Sequence, residues 1–337
     1  KNKNQLIGGP GTLGETGDYF LKNDKIIAVV QNIHTARGQS FHGGTLIDLD
    51  LIRNSQKKLE AINEYDSMVW KDQRNVAGGY THADHFNELI PMLFLTMMKP
   101  NEVEILLPKS KNNTSDRAKI IISGETDHFF KMAEFYDQII FDMSETEFEI
   151  EYSVGPEEQY VTIVTRIINA GPNAINFPSI SSLAIGKTKI ELPAPVGDGL
   201  LFGRENKAFI PGEPGFNIKL SIDKMYENPE IQLPALPGLL ADFIATRGNG
   251  VSYGYAVKPS ENNYAKSLRQ YYPTANDSSI LVPLSAFDML GVFAEQPPKV
   301  LESGDLYEFT RYVLVGYGDV GSIRDVYHDI RDDIIGT

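Results

Sequence analysis

The densest run of groups able to do chemistry is Tyr80-Thr81-His82-Ala83-Asp84-His85, with Glu88 three residues further on. His82 and His85 stand three apart, so on a helical turn both imidazoles would face one ion, with Asp84 or Glu88 completing its shell. Read as a helix entry, the same groups would only hydrogen-bond the local backbone. A pair of carboxylates, Asp48 and Asp50, falls two apart in the apolar run Thr45–Ile52. Alternation puts Leu46, Asp48, Asp50 and Ile52 on one face of a strand, the carboxylates about 7 Å apart. There they would share a divalent cation or flank a sugar. Otherwise they face solvent at a sheet edge, or pair with Arg37 and Arg53. His34 and His42 flank Arg37-Gly38 in a loop suited to an anionic ligand or to its own carbonyls. Trp70, with Tyr65 and Tyr80 near it in sequence, would stack on a sugar ring.

These residues suggest binding more readily than catalysis. Acid–base chemistry needs two groups that reach a substrate from opposed positions. His82, Asp84 and His85 would converge from one side. The His-Glu-x-x-His and His-x-His spacings of metalloenzymes are absent, and so is the Gly-x-Ser-x-Gly nucleophile elbow. Gly8-Gly9-Pro10-Gly11-x-x-Gly14 lacks the strand, the helix and the Lys-Ser/Thr pair of a phosphate loop. The expected ligand-binding set is therefore Arg37, His42, Trp70, Tyr80, His82, Asp84, His85 and Glu88. Asp48 and Asp50 are the expected metal ligands and no catalytic residue is assigned. No cofactor is called for beyond a divalent cation.

Composition limits the partners. The 337 residues carry 31 Lys plus Arg against 45 Asp plus Glu, a net charge of −14. That balance repels phosphate backbones and anionic lipid heads, which argues against nucleic acid and membrane surfaces as partners; neither nucleic acid binding nor membrane insertion is expected. No cysteine is present, so disulfides, thiolate zinc sites and cysteine nucleophiles are excluded. No apolar run reaches the roughly 18 residues that span a bilayer. The sequence opens on Lys1 rather than Met, and an upstream signal peptide or lipoprotein anchor is expected. An exported location follows: periplasmic, anchored to the outer membrane, or extracellular.

The elements that must position these residues are mostly strands. Gly17–Asn32 reads as a hairpin around Lys22-Asn23-Asp24-Lys25. Glu147–Val154, Tyr160–Asn169 and Ala174–Phe177, joined by Gly/Pro-rich turns, form an antiparallel meander. Lys119–Ser123, Lys187–Leu192, Phe216–Ile222, Gly250–Val257, Ser279–Val282 and Leu306–Gly316 continue the pattern. Helical spacing appears in Phe86–Met98, interrupted by Pro91, and in Ile323–Ile334. Asn54–Tyr65 is helical or disordered, and Asp223–Asn228 makes one turn. Lys109–Asp116 is a solvated hairpin loop. The glycine-rich stretch from Gly197 to Gly215 reads as a long loop.

Four stretches carry a family resemblance. The run from Gly14 to Gln31, Gly43-Gly44-Thr45-Leu46-Ile47-Asp48-Leu49-Asp50, Phe86-Asn87-Glu88-Leu89-Ile90-Pro91 and Val315-Gly316-Tyr317-Gly318-Asp319-Val320 resemble the N-terminal region of large exported deltaproteobacterial proteins. In those proteins this region precedes carboxypeptidase-regulatory-like β domains and sometimes a metallohydrolase domain of the polymerase-and-histidinol-phosphatase type. The metallohydrolase motifs are absent here. In that family the position of His85 is basic rather than histidine, which counts against a metal site built on His82 and His85. The meander at Glu147–Phe177 is also similar to the supersandwich of galactose mutarotases. The expectation is a mainly β chain: one large antiparallel β-sandwich of the mutarotase-like kind over residues 1–322, with one or two short helices. Residues 323–337 would form a short helix or begin a linker. The expected role is a non-catalytic binding or scaffold module of a secreted or surface protein, with carbohydrate the first ligand and another surface protein the second. The alternatives are an epimerase or lyase using His82, Asp84 or His85, and a structural part of a surface assembly bound through sheet edges.

Overall fold

The computed structural model describes residues 7, 13–52, 85–93, 96–108, 117–128, 146–177, 179–180, 184–185, 188–189, 192–193, 195–202, 208–211, 240–247, 250–269, 278–286 and 289–331. Fifteen strands form one sheet. In chain order they are β1 (Tyr19–Lys22), β2 (Ile26–Val30), β3 (Leu46–Leu51), β4 (Phe86–Leu93), β5 (Thr96–Leu106), β6 (Ala118–His128), β7 (Thr146–Val154) and β8 (Tyr160–Asn169). Then follow β9 (Val196–Phe202), β10 (Leu240–Ala241), β11 (Phe243–Arg247), β12 (Ser252–Val257), β13 (Ile280–Ala286), β14 (Met289–Glu295) and β15 (Leu306–Gly316). One α-helix, α1 (Val320–Arg331), closes the described chain.

The sheet is antiparallel and folds on itself at one corner. Strands β4 and β5 pair only beside their turn, Met92 with Met97 and Leu93 with Thr96, and then part. On one side of the corner lie β10-β13-β14-β9-β4 followed by β3, β2 and β1. On the other lie β5-β6-β7-β8-β15-β12-β11. We call these layers A and B. They face each other over a continuous core that includes Leu46, Leu49, Phe86, Leu89, Ile122, Tyr152, Ile163, Leu200, Tyr253 and Val313. The β8 sequence shows how this arises. Val161, Thr165 and Asn169 alternate inward while Thr162 and Arg166 stay half-exposed, the period-2 pattern of a sheet covered on one face. Helix α1 packs Ile323, Val326 and Tyr327 on the outer face of layer B, against Phe243, Ala256 and Leu314. The Asp319 carboxylate caps it by accepting the Ser322 N–H at 2.8 Å.

The mainly β, antiparallel sandwich is as expected, with the hairpin, the first two strands of the meander and the Leu306–Gly316 strand in place. The third meander strand, Ile175–Asn176, pairs instead with Val300–Leu301. Three expectations fail for physical reasons. The stretch Phe86–Met98 is not a helix but the hairpin of β4 and β5. Because β4 is covered on both faces, it lacks the polar alternation that marks a strand, and its apolar residues fall by chance at helical spacing. The stretch opening at Gly197 is not a loop at its start but β9. Its glycines serve close strand contact: a Cβ on Gly197 would sit 1.8 Å from the Val292 carbonyl oxygen. In β3 strict alternation breaks at a bulge between Leu46 and Asp48. Leu46 therefore joins Leu49 and Leu51 in the core, while Ile47 packs outward with Ile27 and Val29. Strands β5, β11 and β14 were not anticipated from the sequence. Of the expected strand at 187–192, the described residues Thr188, Lys189 and Leu192 belong to two-residue ladders. The segments Asn54–Tyr65, Lys109–Asp116, Phe216–Ile222 and Asp223–Asn228 lie outside the described residues.

Candidate functional site

The connection between β2 and β3 is a strap laid over the outer face of layer A. Its base closes through two backbone bonds, Gln31 N–H to Thr45 C=O at 2.9 Å and Gly44 N–H to Gln31 C=O at 3.2 Å. Arg37 pins one side. Its guanidinium pairs with Asp18 and donates to the Leu13 carbonyl at 3.0 Å and to Thr35 Oγ1 at 2.9 Å, with Glu15 at 3.7 Å. Asp18 in turn accepts the N–H groups of Glu15 and Asn32, at 2.7 and 3.0 Å.

Glu88 is the centre post. Its side chain leaves β4 outward, fully buried beneath the strap. It accepts Gln39 N–H at 2.6 Å, Ser40 N–H at 3.2 Å and Thr45 O–H at 2.8 Å. Gly38 rests on this carboxylate so closely that a Cβ would lie 2.1 Å from Oε2. Burial raises the Glu88 pKa above its ordinary value, although all three hydrogen bonds pull it down.

The far side of the strap is held by His42, whose Nε2 lies 2.6 Å from Asp127 Oδ2 at the end of β6. Ser40 Oγ donates to the His42 carbonyl at 2.8 Å and so fixes the turn between them. That turn presents Phe41, which is 58% exposed, beside the partly exposed His42–Asp127 pair. The Asp127 pKa lies below its ordinary value: burial, the largest single effect, raises it, but the His42 hydrogen bond, the His128 N–H and the charges of both imidazoles together outweigh it.

The structure thus brings Arg37, His42 and Glu88 together in one loop system. His85 immediately precedes β4, so it enters a strand rather than a helix. Trp70, Tyr80, His82 and Asp84 lie outside the described residues. Asp48 and Asp50 do share a face, opposite Val29 and Ile27, but both are fully buried and neither faces solvent. Asp50 Oδ1 accepts the Leu51 N–H at 2.7 Å. Asp48 Oδ2 packs beside Gly14, one residue from the Leu13 carbonyl that Arg37 holds. Arg53 lies outside the described residues. Among the described residues no three His, Asp or Glu side chains are grouped so as to hold a metal ion.

Sequence reasoning missed Asp18, Phe41 and Asp127. The exposed phenylalanine was legible: a large apolar side chain inside the polar, glycine-rich run Arg37–Gly44 is a signal for display. It also missed a second polar centre between the layers. Arg311, fully buried on β15, grips Asp198 of β9 at 2.8 Å through both Nε and Nη2. Its Nη1 donates to Thr165 at 2.6 Å, and Tyr255 donates to Asp198 Oδ2 at 2.5 Å. Burial beside that carboxylate pushes the Tyr255 hydroxyl well above its ordinary pKa. Every hydroxyl and charge here is paired internally, which marks a joint between layers rather than a reacting centre.

No family model and no curated protein matches the chain. Solved structures with a similar course include the GH36 α-galactosidase AgaA of Geobacillus stearothermophilus, at 11% identity and a TM-score of 0.45 over 93% of this chain and 42% of that one. The α-galactosidase of Lactobacillus brevis matches 97% of this chain and 42% of its own length, at 7% identity and a TM-score of 0.40. A putative aldose 1-epimerase of Klebsiella pneumoniae matches 98% of this chain and 99% of its own, at 9% identity and a TM-score of 0.40. The chain spans less than half of the α-galactosidases.

Proposed function

We propose that this chain is a non-catalytic binding module of an exported or surface-anchored bacterial protein, and that its ligand is carbohydrate. The observation that carries the reading is Phe41, displayed at the crest of the strap beside His42 and Asp127. An aromatic face packs against the C–H face of a sugar ring, and an imidazole with a carboxylate beside it can donate to and accept from ring hydroxyls. A rigid support lowers the entropy cost of binding, and this crest is pinned by Arg37 on one side and Asp127 on the other. The binding role is favoured over catalysis because the groups with most chemical force, Glu88 and Arg37, are engaged with their own loop. An acid or base must reach its substrate to work. The acidic, cysteine-free composition and the family resemblance support the exported setting.

A glycan array followed by titration of the purified chain tests this. Binding to at least one glycan class is expected, weakened about tenfold or more by Phe41→Ala, with no aldose mutarotation and no release of unsaturated uronate. Turnover by the wild type that disappears in a His82→Ala, His85→Ala double variant would establish the enzyme instead.

A further inference from the structure

Among the described residues, the outer rim of layer B is an edge strand open at one end. From Lys99 onward β5 has β6 as its one strand neighbour among the described residues. Natural edges are blunted by proline, bulges or lysine. Here Lys99, Pro100 and the bulge before Glu102 protect only the first half. The second half carries three consecutive exposed apolar residues, Ile105 at 52%, Leu106, and Leu107 at 77%. Val103 and Ile105 stand opposite Ile122 and Ile120, whose side chains belong to the core, so the inward face of this edge continues the core into solvent.

The outward face beside it has a distinct charge pattern. On β7, Glu149 and Glu151 are neutralised by Arg166 and Lys119. Towards one end of the same face, Glu102 on β5, Glu125 on β6 and Glu147 on β7 border a groove of about 410 Å³, and Glu104 follows on β5. Glu125 and Glu147 are direct cross-strand partners. Like charges directly opposite each other are destabilising. Glu125 also has Lys99 directly across from it on β5, whereas Glu102 and Glu104 on the edge strand face Ser123 and Ile121 and make no ion pair among the described residues.

We propose that the β5 edge from Glu102 to Leu107 takes an extended segment of another polypeptide as an added strand, with apolar residues facing inward and basic residues facing outward. Main-chain bonds to the open edge would supply affinity, while Val103 with Ile105 and Glu102 with Glu104 would read alternate side chains. A second copy of this chain fits less well. Antiparallel pairing of two β5 edges about Val103 sets Glu102 against Glu104, and pairing about Glu104 sets that residue against itself.

The test uses the whole chain and a fluorescein-labelled, end-capped peptide of alternating Val and Lys, about seven residues long. Fluorescence anisotropy should show saturable binding that falls about tenfold or more with Ile105→Lys, and likewise with Glu102→Lys plus Glu104→Lys. A peptide of the same composition with a central proline should not bind, since it cannot complete the ladder. Circular dichroism should show both variants folded, as these positions are exposed. Absence of binding at millimolar peptide, equal binding by the proline peptide, or unchanged binding to Ile105→Lys would each overturn the proposal. So would a concentration-dependent dimer in sedimentation that Ile105→Lys abolishes and the peptide does not disperse, which would assign the edge to a second copy.

Discussion

Glu88 collects three donors and loses its water, and these act in opposite directions. Replacing it by alanine leaves the N–H groups of Gln39 and Ser40 without their acceptor beneath the strap, a loss of about 1–3 kcal/mol in stability. Glu88→Gln keeps an acceptor oxygen and should cost less; urea unfolding of the two variants separates them, and equal losses would remove the hydrogen bonds as the cause. The sign of the pH effect follows from the raised pKa. A carboxyl whose folded pKa exceeds its unfolded value contributes stability that is fully present below the unfolded value and lost as pH rises through the folded one. The wild type should therefore gain on Glu88→Gln as pH falls from 7 towards and below 4.5. A gap that stays constant with pH would mean that burial does not shift this group. Asp127 has the opposite sign: its pairing with His42 holds above the ordinary carboxylate range and is lost on acidification.

The strap is the element on which the proposed binding depends, and its narrowest point is Gly43. A Cβ there would fall 2.0 Å from the Asn32 carbonyl oxygen and 2.4 Å from that of Thr35. Both are backbone atoms of the strap itself, so the loop must open to admit it. Gly43→Ala should cost about 1–3 kcal/mol and weaken glycan binding together with the melting temperature. A variant that melts like the wild type would show that the strap is not held as described. Elements with one solvated face were legible before the structure, as the meander β7–β8 and the alternating β15 attest. Elements covered on both faces were not: β4 imitated a helix, and glycines needed for close contact made β9 look like a loop. Of the site, Arg37 and His42 were found as polar residues of a loop, and Glu88 as the end of the polar cluster that begins at Tyr80. Asp18 and Asp127 were missed because their partners lie 19 and 85 residues away in sequence, a pairing no local pattern encodes.

At the scale of the whole molecule, the two layers meet through apolar packing and, among the described residues, one fully buried ion pair. Tyr253 of layer B donates to the Leu49 carbonyl of layer A at 2.9 Å, and its ring meets Phe86 edge-on at 5.5 Å. Beside them the Arg311–Asp198 pair crosses the interior with no exposure on either side chain. Placing two charges there is costly, and their attraction offsets the cost only because Thr165 and Tyr255 complete the hydrogen bonding. The period-2 reading of β15 contained the clue: Tyr307, Phe309, Arg311 and Val313 share the inward face, and a cation there requires a carboxylate across the core. Removing one partner should therefore be far worse than removing both. Asp198→Leu leaves a buried guanidinium unpaired and should cost about 3–5 kcal/mol, as should Arg311→Met for the carboxylate. The double replacement should recover most of that loss, giving a large coupling energy in a double-mutant cycle measured by denaturant unfolding. Additive losses would mean that the pair does not act as a joint, and that the continuous core and the tyrosine hydrogen bonds hold layer A to layer B without it.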